Sequence, residues 1–401
     1  MSRLSPEIHR RFHLKPSMVQ YRPEPIKNIL ENIWNYTNVA IDLAFYAYFT
    51  REQELALKIL DLDKKISEYI GQFVMHNAMA FGRSRKSGYA GLLAFYYSTA
   101  VDGISDSVKD IVYTLLVGYP AKVSYSQILQ YAEGEVIGKI KASRDFKVIE
   151  LTDVYPVDIV LVVEKEEYVF APKPERLVKK DSDIYVRGFR EPVLRLLQDH
   201  GVECGFDKID TPGLEQVVKQ LVDIKDCTVL MLDLAHYVLM EHSKELMEEV
   251  EDLEIQIDWM HMETISLLRD LAVRIDPDTF IGLITLLKEL EDIADASEAI
   301  SKIPSLQEEF PGEYRELFSK VFESIGERVK TITTNRSIDL HTIEHFLRKY
   351  GGRVLAVKTK DSWIAYPFAK DISLKQGDRL IVVFPAEFSE EVDKLIAAKV
   401  T

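Results

Sequence analysis

The hydrophobic positions along this chain alternate between two periods. From residue 25 to 115 the period is helical: in NILENIWNYTNVAIDLAFYAYF, the residues Ile33, Thr37, Ala40, Ala44 and Ala47 fall at steps of four and three, one stripe of a helix. Two more helical segments follow, ELALKILDLDKKISEYIGQFVMHNAMAF and GYAGLLAFYYSTAVDGISDSVKDIVYTLL, separated by the breaker GRSRKSG. Three long helices with short connections predict an antiparallel bundle. The pattern then shortens. DIVLVV, EYVFA and DIYVRG are β-branched and aromatic runs bounded by polar turns, and EVIGKIKA (135–142) precedes them, so strands are expected.

Both patterns recur. VYPVDIVLVVEKEEYVFAPKPERLVKKDSDIYVRG (154–188) and KYGGRVLAVKTKDSWIAYPFAKDISLKQGDRLIVVF (349–384) align at an offset of 195, pairing Tyr155 with Tyr350, Pro172 with Pro367 and Asp183 with Asp378. RVKTITT (328–334) stands where EVIGKIKA does, DLHTIEHFLRK (339–349) predicts a helix, and EFSEEVDKLIAAK (387–399) a closing one. The helical half repeats over 213–303. At an offset of 191, Asp42 falls on Asp233, Leu43 on Leu234, Ala44 on Ala235 and Tyr46 on Tyr237. In the third helix the offset is 189, placing Asp106 on Asp295. The order is bundle, β-module, bundle, β-module.

Composition narrows the class. With 401 residues, 47% hydrophobic and 29% charged, the chain reads as a soluble protein of several domains. Its formal charge of −15, from 50 basic and 65 acidic residues, argues against a nucleic-acid polymer as partner. Cys204 and Cys227 allow at most one bridge and fit a reducing compartment. The N-terminus lacks a signal-peptide core and the apolar windows are too short to span a bilayer.

The candidate chemistry is acidic. Residues four apart on a helix share a face, so Asp102 with Asp106, and Glu291 with Asp295, each present two carboxylates to one volume, a hard-cation arrangement that equally describes a solvated acidic face. Asp42 and Asp233 are lone acids in apolar helices, read as polar-edge residues or as partners of an interhelical tyrosine. HTIEH (341–345) has metallopeptidase spacing, but it sits in the helix of a small module whose other copy has nothing similar. There is no G-x-G-x-x-G, P-loop or nucleophile elbow. The basic loop 82–87 reads as solvated.

The β-modules resemble the C-terminal regulatory domain of the RCK/TrkA family of bacterial and archaeal K+ transport regulators. The resemblance rests on the strand after Tyr155 or Tyr350, the passages APKPERLVKKDSDIYVRG and YPFAKDISLKQGDRLIVVF, and the closing helix. The first copy has DSD where the family has Gly-Asp; the second keeps Gly377-Asp378. The helical halves resemble the PhoU family through VDGISDSV and KELEDIADASEAI.

The resemblances imply an α+β multidomain chain: PhoU-like bundles over 20–118 and 209–322, alternating with RCK C-terminal (TrkA-C) modules over 130–203 and 326–401. They imply a non-enzymatic, cytoplasmic regulator at the inner face of the membrane, acting on a K+ channel or transporter and forming a homodimer. A small ligand, such as a nucleotide second messenger, would bind near Tyr155, Pro172, Asp183, Tyr350, Pro367 and Asp378. A divalent metal in the bundles would take Asp102, Asp106, Glu291 and Asp295. Rival readings are a phosphate-signalling adaptor and a metal-dependent hydrolase.

Overall fold

Helix α1 (Ile26–Thr50) ends where Arg51 turns left-handed (φ 59°) and returns its N–H to the Ala47 carbonyl. This lets α2 (Gln53–Phe81) run back along it, and α3 (Arg85–Val117) completes a bundle in which each helix touches the other two. A second bundle repeats the plan with α7 (Leu214–Glu241), α8 (Lys244–Leu271) and α9 (Pro277–Ser301). The start of α9 is fixed by Asp276, whose side chain accepts the Thr279 N–H at 3.1 Å, with Pro277 in the first turn. The bundles meet through α3 against α9 and α1 against α7, so one apolar core spans both.

This computed structural model describes residues 20–81, 85–132, 134–155, 157–165, 167–202, 205, 207–241, 244–308, 327–340, 342–343, 347, 353–359, 363–365, 373–385 and 389–395. Tyr350, Pro367, most of HTIEH, Cys204 and residues 82–84 of the basic loop lie outside them. No helix among the described residues is long and apolar enough to cross a membrane. The chain is a helix-rich α+β protein.

Between the bundles, α4 (Tyr125–Tyr131) leads into β1 (Glu135–Lys141), β2 (Phe146–Lys147), α5 (Val148–Thr152), β3 (Asp158–Glu164), β4 (Glu167–Phe170), β5 (Leu177–Val178), β6 (Asp183–Phe189) and α6 (Arg190–Asp199). After α10 (Ile303–Glu308) come β7 (Glu327–Thr333), β8 (Ile338–Asp339), β9 (Arg353–Lys358), β10 (Trp363–Ala365), β11 (Ser373–Leu374), β12 (Arg379–Pro385) and α11 (Ser389–Leu395). The sheets β1-β6-β3-β4 and β7-β12-β9-β10 have one antiparallel order, and each has a two-stranded companion, β2 with β5 and β8 with β11. Even the irregularity repeats: β3 skips Val160 and β9 skips Leu355 in pairing with the last strand.

The ladders also correct the alignment. β1 and β7 superpose at an offset of 192, β3 and β4 on β9 and β10 at 195, and β6 on β12 at 196. Asp183 ends the ladder opposite Lys141 as Arg379 does opposite Thr333, so Asp183 corresponds to Arg379, and Ser182 to Asp378. The connection from β10 to β11 is one residue longer than that from β4 to β5. A one-residue slip in a loop leaves the hydrophobic pattern on both sides intact, so the sequence hides it.

Each sheet has two working faces. In the second, Ile332, Val354, Val357, Leu380, Val382 and Phe384 form a local core with Val392 of α11. Val329, Ala356, Ile381 and Val383 point the other way, into the core shared with the bundles.

Candidate functional site

The site begins with a buried acid, Asp42, and its half-buried counterpart, Asp233, on helices that touch. At the 191-residue offset, Asp42 of α1 corresponds to Asp233 of α7, and Trp34 to Lys225. The Lys225 ammonium lies 2.7 Å from the Asp42 carboxylate. Reciprocally, Trp34 Nε1 donates to Asp233 at 3.2 Å, joined by Asn38 Nδ2 at 3.0 Å. The contact is one pseudo-two-fold motif used twice, once as an ion pair and once as neutral donors. Asp42 is buried and ion-paired rather than a polar-edge residue, and half-buried Asp233 accepts from Trp34 and Asn38.

The first module closes over the charged half. Arg187 of β6 reaches Asp42 and Glu135 at 3.5 Å and Asp158 at 3.7 Å. Lys225 donates to the Glu135 carbonyl at 3.1 Å, and the Gly134 N–H donates to Asp226 at 3.1 Å. Beside these, Glu52 accepts from Tyr185 at 2.7 Å and from Lys139 at 3.1 Å. The second module offers apolar residues instead, because Tyr185 and Arg187 correspond to Ile381 and Val383. Its charged contacts lie at the sheet rim, where Arg379 and Lys358 meet the buried Glu249 at 2.7 and 2.5 Å. The two docks therefore differ in kind: the first module rests on charge and the second on hydrophobic burial rimmed by charge.

Burial sets the electrostatics. Loss of solvation, with Asp42 and Asp223 nearby, pushes Asp226 up to about 6 despite the adjacent Lys225. Burial would lower Lys225 and Arg187, but the carboxylates around them hold both above their ordinary range. A cavity of about 60 Å³ opens here, walled by Glu135, Phe189, Lys225, Asp233 and, from the second module, Val354 and Leu355. Both modules and both bundles therefore meet within a few side chains, α7 being the shared wall.

Gly134 is what permits the approach. A Cβ there would sit 2.4 Å from the Asp226 carboxylate, which belongs to a buried and paired side chain. Gly134→Ala is expected to cost about 1–3 kcal/mol by overpacking, measured as a lower urea midpoint at unchanged slope. A loss under about 0.3 kcal/mol, below the usual scale of overpacking, would mean that the junction is looser than drawn.

Residues 221–304 match the PhoU domain family. The match runs from within α7 through α9, the helices of the second bundle. No curated protein matches the chain. Solved structures with some likeness include a GsuK RCK domain (13% identity, 76% of this chain and 79% of that one, TM-score 0.16) and a GsuK channel bound to NAD (12% identity, 76% and 66%, TM-score 0.16). Likeness at that TM-score carries nothing about this fold or its ligand.

Within the PhoU domain, Glu291 and Asp295 of α9 face Glu254 and Asp258 of α8. Desolvation and neighbouring carboxylates raise Glu291 and Asp295, and Glu254, which also bonds Asp258, rises to about 7. In the first bundle, Asp102 is likewise raised by burial and by Asp106. There, however, Lys109 reaches Asp106 at 2.5 Å and Asp63 at 3.4 Å, standing where Glu298 stands in the second bundle. An ammonium already supplies the cation that a metal would supply. Among the described residues no three His, Cys, Asp or Glu side chains converge closely enough to hold one ion.

The expected ligand residues are scattered. Tyr155 donates to Asp199 at 2.7 Å at the end of α6, Pro172 is buried after β4, and Asp183 opens β6 beside Lys139. Asp378 is spent on a turn, where its carboxylate accepts the Lys375 N–H at 2.7 Å and its carbonyl the Thr334 N–H at 2.8 Å. None of them lines the cavity at the junction.

The residues that do converge there, Lys225, Asp226, Glu135 and Arg187, were missed. One signal was readable: Leu221, Lys225, Thr228 and Leu232 share a helical stripe, so a lysine occupies a core position and must find an acid. Arg187 gave none, because a strand residue beside a buried acid of another domain looks like any alternating polar position.

Proposed function

We propose that the chain is a non-enzymatic, cytoplasmic regulator of monovalent-cation transport, in which the paired β-modules sense a small ligand and the helical bundles pass its effect to a membrane K+ channel or transporter. The observation that carries this reading is the junction at α7. Two modules of one topology abut the same helix through Glu135, Phe189, Val354 and Leu355, so any ligand that alters their spacing must act on the PhoU domain. The resemblance of the modules to the RCK/TrkA C-terminal domain supplies the class of partner, and a nucleotide second messenger remains the leading ligand.

A thermal-shift titration of the full chain against cyclic di-AMP, ATP, NAD, phosphate, K+ and Mg2+ tests the sensing step, because a ligand that binds only the folded state raises Tm. A nucleotide response, together with altered K+ uptake in a strain lacking the gene, supports the regulator. The PhoU match favours a second reading, an adaptor of phosphate signalling. A response to phosphate alone, with unchanged K+ uptake, would select it.

A further inference from the structure

The outer face of α8 carries an apolar stripe that nothing in the chain covers among the described residues. Ile255, Trp259 and Met262 fall at steps of four and three, and they are 54%, 75% and 65% exposed. Monomer surfaces seldom offer an indole so openly, and aromatic residues of this kind dominate binding hot spots. On one flank lie Glu254 and Asp258 with Glu291, Asp295 and Glu298 of α9, crowded carboxylates that Lys302 meets at Glu298, at 2.5 Å. On the other lie the exposed Glu263 and Asp252, the latter already paired with Lys358 at 2.5 Å. From 245 to 268 the helix has no Lys or Arg.

The duplicated bundle acts as an internal control. At the same offset its residues are Lys64, Glu68 and Gly71, a polar stripe, and Lys109 neutralises its carboxylates from within. At these positions the second bundle therefore joins apolar exposure to an acidic flank where the first is polar and carries Lys109; the first bundle's exposed apolar residues, such as Met79 and Phe95, lie elsewhere on its helices. Like charges along the rim oppose the same face of a second copy, and they oppose an anionic lipid surface.

We propose that the α8 face around Trp259 is a docking surface for a basic amphipathic helix of a partner protein, whose apolar residues cover Ile255, Trp259 and Met262 while its Lys or Arg residues meet the acids of α8 and α9. This goes beyond the regulatory reading, since the surface serves a transporter subunit or any other basic partner, and it is independent of the modules' ligand.

The test uses the full chain and an 18-residue peptide with Leu and Lys at helical spacing, titrated by calorimetry. A twin peptide carrying Glu for Lys and vesicles of phosphatidylglycerol serve as competitors. The Lys peptide is expected to bind, with affinity falling at least about tenfold in Trp259→Ala and a weaker salt dependence in the double variant Glu254→Gln with Asp258→Asn. Trp259 is exposed, so its variant should keep the native Tm, and this is checked first. Absence of binding, equal binding by Trp259→Ala or equal binding of the Glu peptide would overturn the proposal. So would preferential binding to the vesicles. A dimer that Trp259→Ala dissociates, with no peptide bound, would assign the face to a second copy instead. The ligand response of the modules is measured on the same variants, so failure of docking and failure of sensing are read separately.

Discussion

Replacing Lys225 with methionine is expected to lower the folding free energy by about 3–5 kcal/mol, the loss seen when one partner of a buried ion pair is removed. The methionine fills nearly the same volume, so packing is largely kept. What remains is Asp42, 3% exposed, and Asp226, both facing a cavity with their main cation gone. Arg187 stays, but at 3.5 Å from Asp42 it is already shared with Glu135 and Asp158. Adding Asp42→Asn should restore part of the loss, with a coupling energy on the order of 0.5–3 kcal/mol. Urea denaturation of the two single variants and the double variant gives this directly. A loss below about 1 kcal/mol for Lys225→Met, the scale of a surface pair, would show that water reaches the pair. The junction would then lose its claim to couple the modules.

The second large effect concerns pH. Asp226 has a folded pKa of about 6 against an ordinary 3.8, because burial and the neighbouring Asp42 and Asp223 outweigh Lys225 and the Gly134 N–H. A raised carboxyl pKa means that the folded state prefers the protonated form. The contribution is thus favourable below 3.8 and is lost as pH rises through about 6. A shift of about two units corresponds to ~3 kcal/mol. Asp226→Asn keeps an acceptor for Gly134 and removes the titration. It is expected to be more stable than the native chain by up to ~3 kcal/mol at pH 7–8, with the advantage vanishing toward pH 4. The groups facing this carboxylate are Asp42 from α1, Asp223 and Lys225 from α7, Tyr125 from α4, and Glu135 from the first sheet. The difference between native and variant stability across pH therefore isolates it better than either curve alone. A variant that is less stable at pH 8 would mean that the charge of Asp226 is held by Lys225 more strongly than it is desolvated.

Much of the local structure was legible from residues alone. The four-and-three spacing in 28–49 forms α1, and the run DIVLVV forms the core of β3. The duplication was legible too, because repeated hydrophobic periods survive divergence. What escaped was register and partnership. The alignment of Asp183 with Asp378 came from counting through a connection whose length differs by one residue between the copies, and only hydrogen-bonded ladders count strands correctly. The acidic pairs are legible as pairs, but nothing local shows that Lys109 neutralises one of them. The difference between Lys109 and Glu298 became meaningful once the helices placed both beside the same carboxylates.

The sequence by itself determined the long helices and the main strands and the recurrence of their hydrophobic patterns, since these follow from side-chain period and chain connectivity. Tertiary structure alone decided which buried charge met which. Asp42 and Lys225 are far apart in the chain and come from different copies, as do Trp34 and Asp233. An ion pair of that kind depends on two helices crossing at a particular place, and no local propensity encodes a crossing.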